Sequence, residues 1–229
     1  MVAVIGDIHG CYHTLRELVK ITRKKYPEIS LYSVGDLVDR GKFSYEVIEY
    51  VISENIRFTP GNHDYMFYYF IKEPTNPIGR SWLYNGSEST VVSYQNRLEK
   101  ITEHLELIIN APLFINLEDC FISHAGISSY YQSKFSPDII NQPETLESIL
   151  RSDIAKEWGV LWSRDDLMNI GKLQLVGHTR QQKINYYETN NVAYIDTSVY
   201  TGNKLSAVIV DQNTIVDSFS VPTFKVDIE

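Results

Sequence analysis

The sequence predicts an α/β fold of two packed sheets flanked by helices, carried by one domain over residues 1–229. Two observations support this. In the N-terminal third, short apolar runs ending in glycine plus a polar residue alternate with stretches of helical periodicity, the mark of βαβ units and a parallel sheet. In the remainder, brief apolar runs separated by turn residues predominate, which predicts further strands, several of them antiparallel.

Met1–Ile5 reads as a buried strand stopped at Gly6-Asp7. A helix is expected over Tyr12–Lys25, where Leu15, Leu18, Val19 and Thr22 recur at helical spacing and Pro27 enforces a stop. The pattern repeats with a strand at Leu31–Val34, ended by Gly35-Asp36, and a helix over Phe43–Ser53 with Val47, Ile48, Val51 and Ile52 on one face. A third strand, Asn55–Thr59, ends at Pro60-Gly61-Asn62-His63-Asp64 before the aromatic run Tyr65–Ile71. Those aromatics could stack a nucleobase, but an aromatic helix face is more often core. Glu73–Ser89, with two prolines and several Gly and Asn, reads as an irregular excursion. A helix over Leu98–Ile109 precedes Pro112. Strands follow at Leu113–Leu117, Cys120–Ser123, Leu173–Val176, Val192–Ile195 and Leu205–Val210, with Asn190-Asn191 as the turn of a hairpin from Lys183–Glu188 to Val192–Ile195.

Composition narrows the function classes. No apolar run is long enough to cross a bilayer, and the N-terminus lacks the basic and apolar regions of a signal peptide, so the expected address is the cytoplasm. A formal charge of -8 opposes a nucleic-acid partner, and an anionic substrate would need local positive charge from metals or a few arginines. Cys11 and Cys120 form no metal or redox spacing and read as free thiols.

The chemistry lies at the strand ends. Gly6-Asp7-Ile8-His9-Gly10, Gly35-Asp36-Leu37-Val38-Asp39-Arg40-Gly41 and Gly61-Asn62-His63-Asp64 close the first three strands, and two later ones end in His124-Ala125-Gly126 and Gly177-His178-Thr179. In an open α/β sheet, ligands bind beyond the carboxyl ends of strands, so these loops should converge on one crevice. Asp7 and His9, two apart in an extended segment, leave the same side of the chain and can meet one cation. Asp36 carries two oxygens and is the natural bridge between two cations, Asn62 offers an amide oxygen, and His124 and His178 add imidazoles. Such a mixed nitrogen and oxygen set suits Mn, Fe or Zn better than Ca or Mg. A lone histidine after a strand is usually a hydrogen-bonded turn residue, but the same chemistry at five strand ends outweighs that reading. His13 and His104 fall on helices and read as surface residues.

GDIHG, GDLVDRG, GNHD, HAG and GHT, in this order from Val4 to Thr179, closely resemble the metallophosphoesterases and their phosphoprotein phosphatase branch. GDIHGCY and Leu161-Trp162-Ser163-Arg164 look especially like the small phage lambda type of serine/threonine phosphatase. The resemblance implies a calcineurin-like αββα sandwich and two divalent metal ions, with Mn first and Fe or Zn as alternatives. By that match Asp7, His9 and Asp36 hold one metal, while Asp36, Asn62, His124 and His178 hold the other. Water activated between the two would attack phosphorus in line. Arg40 and Arg164 would clamp the phosphoryl oxygens, and His63, paired with Asp39, would be the general acid for the departing alkoxide. The expected substrate is a phosphorylated protein or small phosphoester. Pro60 departs from the arginine of phage-type enzymes, so one phosphate contact is expected to be missing, and Asp64 stands in place of the usual Glu. The alternative is a symmetrical bis(5'-nucleosyl)-tetraphosphatase, a family that often has Ala at the position of Asp39. A non-catalytic module on the same fold is opposed by the complete ligand set.

Overall fold

A computed structural model describes residues 1–229. The strands are β1 (Val2–Ile5), β2 (Ser30–Ser33), β3 (Arg57–Phe58), β4 (Phe114–Asn116), β5 (Phe121–Ser123), β6 (Gln174–Val176), β7 (Asn185–Tyr187), β8 (Val192–Tyr194), β9 (Lys204–Asp211) and β10 (Thr214–Pro222). The helices are α1 (Tyr12–Lys25), α2 (Ser44–Ser53), α3 (Asn62–Lys72), α4 (Pro77–Ser81), α5 (Glu88–Tyr94), α6 (Ile101–Asn110), α7 (Pro143–Ser152) and α8 (Lys225–Ile228).

Two five-stranded mixed sheets result, ordered β10-β9-β1-β2-β3 and β4-β5-β6-β8-β7. Side chains of a strand alternate between faces, so Val2 and Val4 of β1 point between the sheets with Tyr32, Ile122, Leu175, Ala193 and Val208. Ala3 and Ile5 point the other way, onto Leu15 and Leu18 of α1 and Val47 and Ile48 of α2. The second sheet turns Phe114 and Phe121 outward onto Leu146 and Leu150 of α7. Four layers, helix, sheet, sheet and helix, follow from that alternation. Burying Leu15 or Leu18 completely contributes roughly 1.5–3 kcal/mol each.

Each sheet holds three neighbouring parallel strands: β1, β2 and the edge strand β3 in the first, and the central β5, β6 and β8 in the second. Their carboxyl ends therefore deliver their loops to one edge of the sandwich. The hairpin expected around Asn190-Asn191 forms between β7 and β8, with Asn191 left-handed at φ 52°.

Several expectations change. The excursion from Glu73 to Ser89 is largely helical, with α4, a 3-10 turn at Trp82–Tyr84 and the start of α5, and Trp82 is fully buried. Asn76 starts it, its side chain accepting from the Ile78 amide ahead of Pro77 at the first helical turn. α7 and β10 appear where no element was expected. His104 is not a surface residue: it is buried, bonded to the Tyr94 hydroxyl (2.7 Å) and Glu49 (2.9 Å). Burial lowers its pKa, with Glu49 opposing. His13 is half-buried and bonds Asp227 (2.9 Å). The aromatic run lies in α3 as core, Tyr65 and Phe67 being buried.

α1 has no side-chain cap at Cys11. Asp227 of α8 supplies one instead, accepting from the amides of His13 (3.0 Å) and Thr14 (2.9 Å) and from the Thr14 hydroxyl (2.6 Å). A carboxylate at a helix N-terminus is also favoured by the helix dipole.

Candidate active site

All ten residues singled out in the sequence lie around one edge of the sandwich, and most line a cavity of about 290 Å³ bounded by Asp7, His9, Asp36, Arg40, Asn62, His63, Arg164 and His178 among others. His124 and Asp39 sit immediately behind it, His124 Nε2 lying 3.0 Å from Asn62 Oδ1 and Asp39 bonded to His63. The sheets meet tightly here. A Cβ on Gly6 would fall 2.2 Å from the Ile195 carbonyl oxygen, and one on Gly177 would fall 1.8 Å from an Asp7 carboxylate oxygen. No side chain other than hydrogen fits at either place.

The Asp7–His9 segment is not extended, as the spacing had suggested. His9 turns left-handed (φ 45°), and Asp36 (φ 49°) and His178 (φ 61°) do the same. Such conformations cost about 1–3 kcal/mol each and persist only where surrounding contacts hold them. The amides of Ile8 and His9 both donate to the Asp36 carbonyl. Asp64 accepts from Leu37 (2.9 Å) and Gly61 (2.8 Å), tying the Asp36 loop to the first turn of α3. The His63 amide there donates to Asp36 Oδ1 (2.9 Å).

Each metal-type histidine commits one ring nitrogen to a backbone carbonyl: His9 Nδ1 to Val38 (3.0 Å), His124 Nδ1 to Val34 (2.9 Å) and His178 Nε2 to Trp162 (3.2 Å). In the neutral imidazole the other nitrogen is then a bare lone pair, the orientation that metal-ligating histidines adopt. His124 Nε2 and His178 Nδ1 lie 3.0 and 2.9 Å from Asn62 Oδ1. With the amide oxygen facing both rings, three acceptors converge, an arrangement that a cation would satisfy. His9, Asp36 and His63 form one group of converging ligand atoms, and Asp7, Asp36 and His124 another. Asp36 belongs to both. The donor set therefore fits divalent metal. The Arg40 guanidinium, 3.2 Å from His9 Nε2 and 2.9 Å from His63 Nε2, brings positive charge to the same lone pairs.

The electrostatics agree. Burial, then Asp196 and Asp36, push the Asp7 carboxyl well above its ordinary pKa. Burial disfavours ionised Asp36 too, but His124, His63 and His9 outweigh it and hold its pKa low. Burial lowers His9, His124 and His178, the last to about 3. Burial thus favours the neutral imidazoles that metal binding requires, while Asp7, crowded by Asp196 and Asp36, favours its protonated form and would give up that proton to a cation.

Behind this group, His63 Nδ1 donates to Asp39 Oδ2 (2.7 Å), and Asp39 also accepts from Trp82 Nε1 (2.8 Å) and the Thr90 hydroxyl (2.7 Å). Asp39 is raised by burial, with His63 opposing.

Sequence reasoning missed Asp196, Arg180, Tyr200 and Asn85, which also line the cavity. Asp196 follows an apolar strand, as the others do, but lacks the flanking glycine that marks them in the sequence. Burial raises it to about 6. Tyr200 lies 4.1 Å from the Arg40 guanidinium. Arg180, two residues beyond His178, adds a third cation where Pro60 supplies none.

A family model described as calcineurin-like phosphoesterase matches residues 1–210. A relative from Anoxybacillus flavithermus, the bis(5'-nucleosyl)-tetraphosphatase PrpE [asymmetrical], is 31% identical over 252 aligned positions, covering 96% of this chain and 93% of its own. Its Bacillus cereus (strain Q1) counterpart is 28% identical with the same coverage. Among solved structures, a cold-active protein-tyrosine phosphatase of Shewanella superposes with a TM-score of 0.63 at 18% identity, covering 90% of this chain and 74% of that one. A protein serine/threonine phosphatase from Saccharomyces cerevisiae gives 0.58 at 15%, covering 95% and 79%. These structures share the two-sheet architecture, and no helix here is long and apolar enough to cross a membrane. The chain belongs to the calcineurin-like phosphoesterase family and is a phosphoester hydrolase of the metallophosphoesterase kind.

Proposed function

We propose that the protein hydrolyses dinucleoside tetraphosphates asymmetrically, to a nucleoside triphosphate and a nucleoside monophosphate, with Asp7, His9, Asp36, Asn62, His124 and His178 holding two divalent cations, Mn first. The observation that carries the substrate class is the set of three arginines, Arg40, Arg164 and Arg180, around one small cavity in a chain of net charge -8. A polyphosphate brings enough negative charge to use all three. The names of relatives that match nearly the whole chain support the same class and favour the asymmetrical cut over the symmetrical one expected from sequence.

Cations held there would supply a nucleophilic water at neutral pH and neutralise charge on phosphorus. The protein's own groups do the rest. Arg40 and Arg164 orient the phosphoryl oxygens, and Asp39 fixes the ring of His63 with its Nε2 turned toward the cavity. A cytoplasmic location is part of this reading.

Serine/threonine phosphatase, the first expectation from sequence, is the second reading, and the Asp39–His63 pair favours it. An alkoxide needs a proton to leave, whereas a nucleoside triphosphate leaves as a stable anion, so a built general acid suits phosphomonoesters. The test is to supply Mn²⁺ and follow diadenosine tetraphosphate, a phosphoserine peptide and p-nitrophenyl phosphate by chromatography. ATP plus AMP should form faster than phosphate leaves the peptide. Intact dinucleotide alongside a dephosphorylated peptide would reverse the order of the readings, and two ADP would restore the symmetrical cut.

A further inference from the structure

A second cavity, about 940 Å³ in volume, adjoins the catalytic pocket, and Arg164 and Arg180 line both. Its wall adds Lys183, Gln182 and Asn185, with no carboxylate and no apolar side chain anywhere in it. The ion pairs of the molecule lie elsewhere, and Arg164, Arg180 and Lys183 take part in none. In a chain with eight more acidic than basic residues, a groove walled by cations and neutral hydrogen-bonding groups is a local reversal of sign.

The groove is also built rather than loose. The segment that runs from His178 to Lys183 is held by the Gln181 amide donating to the Asp196 carbonyl (2.9 Å). The Ser198 hydroxyl bonds the Gln181 carbonyl (3.1 Å), and Asn203 Nδ2 bonds the Gln182 carbonyl (3.1 Å). These bonds anchor the backbone and leave the Lys183 ammonium without a protein partner.

We infer that this groove is a subsite for the phosphates beyond the scissile one, binding a linear polyphosphate chain. The inference rests on the hydrolase reading above and extends it to residues outside the catalytic pocket. A wall without an aromatic or apolar side chain offers no platform to an aliphatic side chain and no ring to stack a base, whereas a chain of phosphates presents charge at every step along it and meets three cations here. Arg164 and Arg180 stand at the junction, so one end of such a chain reaches the catalytic pocket while the other meets Lys183 and Gln182.

The test uses inhibition of p-nitrophenyl phosphate hydrolysis, at fixed free Mn²⁺, by inorganic tripolyphosphate and by orthophosphate. In Lys183→Ala and Gln182→Ala the inhibition constant for tripolyphosphate should rise relative to that for orthophosphate, by about tenfold for the lysine, and Lys183→Arg should restore the original ratio. An unchanged ratio in Lys183→Ala overturns the inference. The two readings fail separately. If diadenosine tetraphosphate is not cleaved but the ratio shifts, the groove stands and the substrate is wrong. If the dinucleotide is cleaved and the ratio stays, the groove is not the subsite.

Discussion

His63 is the residue at which the two substrate readings part. If its ring protonates a departing alkoxide, His63→Asn should slow a phosphoserine peptide by about 10²–10⁴-fold. Diadenosine tetraphosphate and p-nitrophenyl phosphate, whose leaving groups need no proton, should lose less than about tenfold, with metal content unchanged. Loss of metal would instead make His63 a ligand, as its place beside His9 and Asp36 also allows. Asp36, common to both ligand groups, is the position with most to lose. Asp36→Asn should reduce turnover by at least about 10³-fold on every substrate, and metal analysis should show depletion. Asp7 sets the pH dependence. In metal-free protein its pKa is raised by burial and by Asp196 and Asp36, so a cation must displace a proton. Affinity for Mn²⁺ should therefore rise with pH, by about tenfold per unit where one proton is exchanged. Titration in weakly buffered solution, with a dye reporting the released proton, checks the sign.

At the scale of elements, the segment from α4 to α5 changed most between expectation and structure. Pro74, Pro77, Gly79 and Gly86 gave it the composition of a loop. Yet Trp82 inserts under the catalytic edge, stacks on Phe67 at 5.0 Å and donates to Asp39, so short helices form because tertiary contacts hold them. Local propensity alone would not have sustained helices of five and seven residues. Trp82→Phe keeps much of the packing but removes a donor from a buried carboxylate, at a cost of about 1–3 kcal/mol. Calorimetry should show a melting temperature lower by about 2–12 °C. α1 and α2 were legible for the opposite reason: each carries a full apolar stripe that names its buried face.

At the scale of the whole molecule, residues far apart in the chain complete one another. Asp227 caps α1, the helix that leads directly out of the Asp7–Gly10 loop. Asp227→Ala should cost about 2–3 kcal/mol, lowering the melting temperature by about 4–12 °C. The exposed Glu229→Ala should change it by less than about 2 °C. Equal melting of the two variants would remove the cap from the account.

Fold class and family were legible in the sequence, together with the strand ends proposed to carry the chemistry, because each depends on a local signal: an apolar run, a helical stripe, a glycine beside a polar residue. It also named the loops that would meet. Which atoms face which depends on long-range packing. The two separate sheets had to pack before His124 could bond the Val34 carbonyl or Gly177 could sit against Asp7. Asp196, Arg180 and the cationic groove up to Lys183 join the site through that packing and carry no local mark. Packing likewise buried His104, whose neighbours in the chain marked it as exposed.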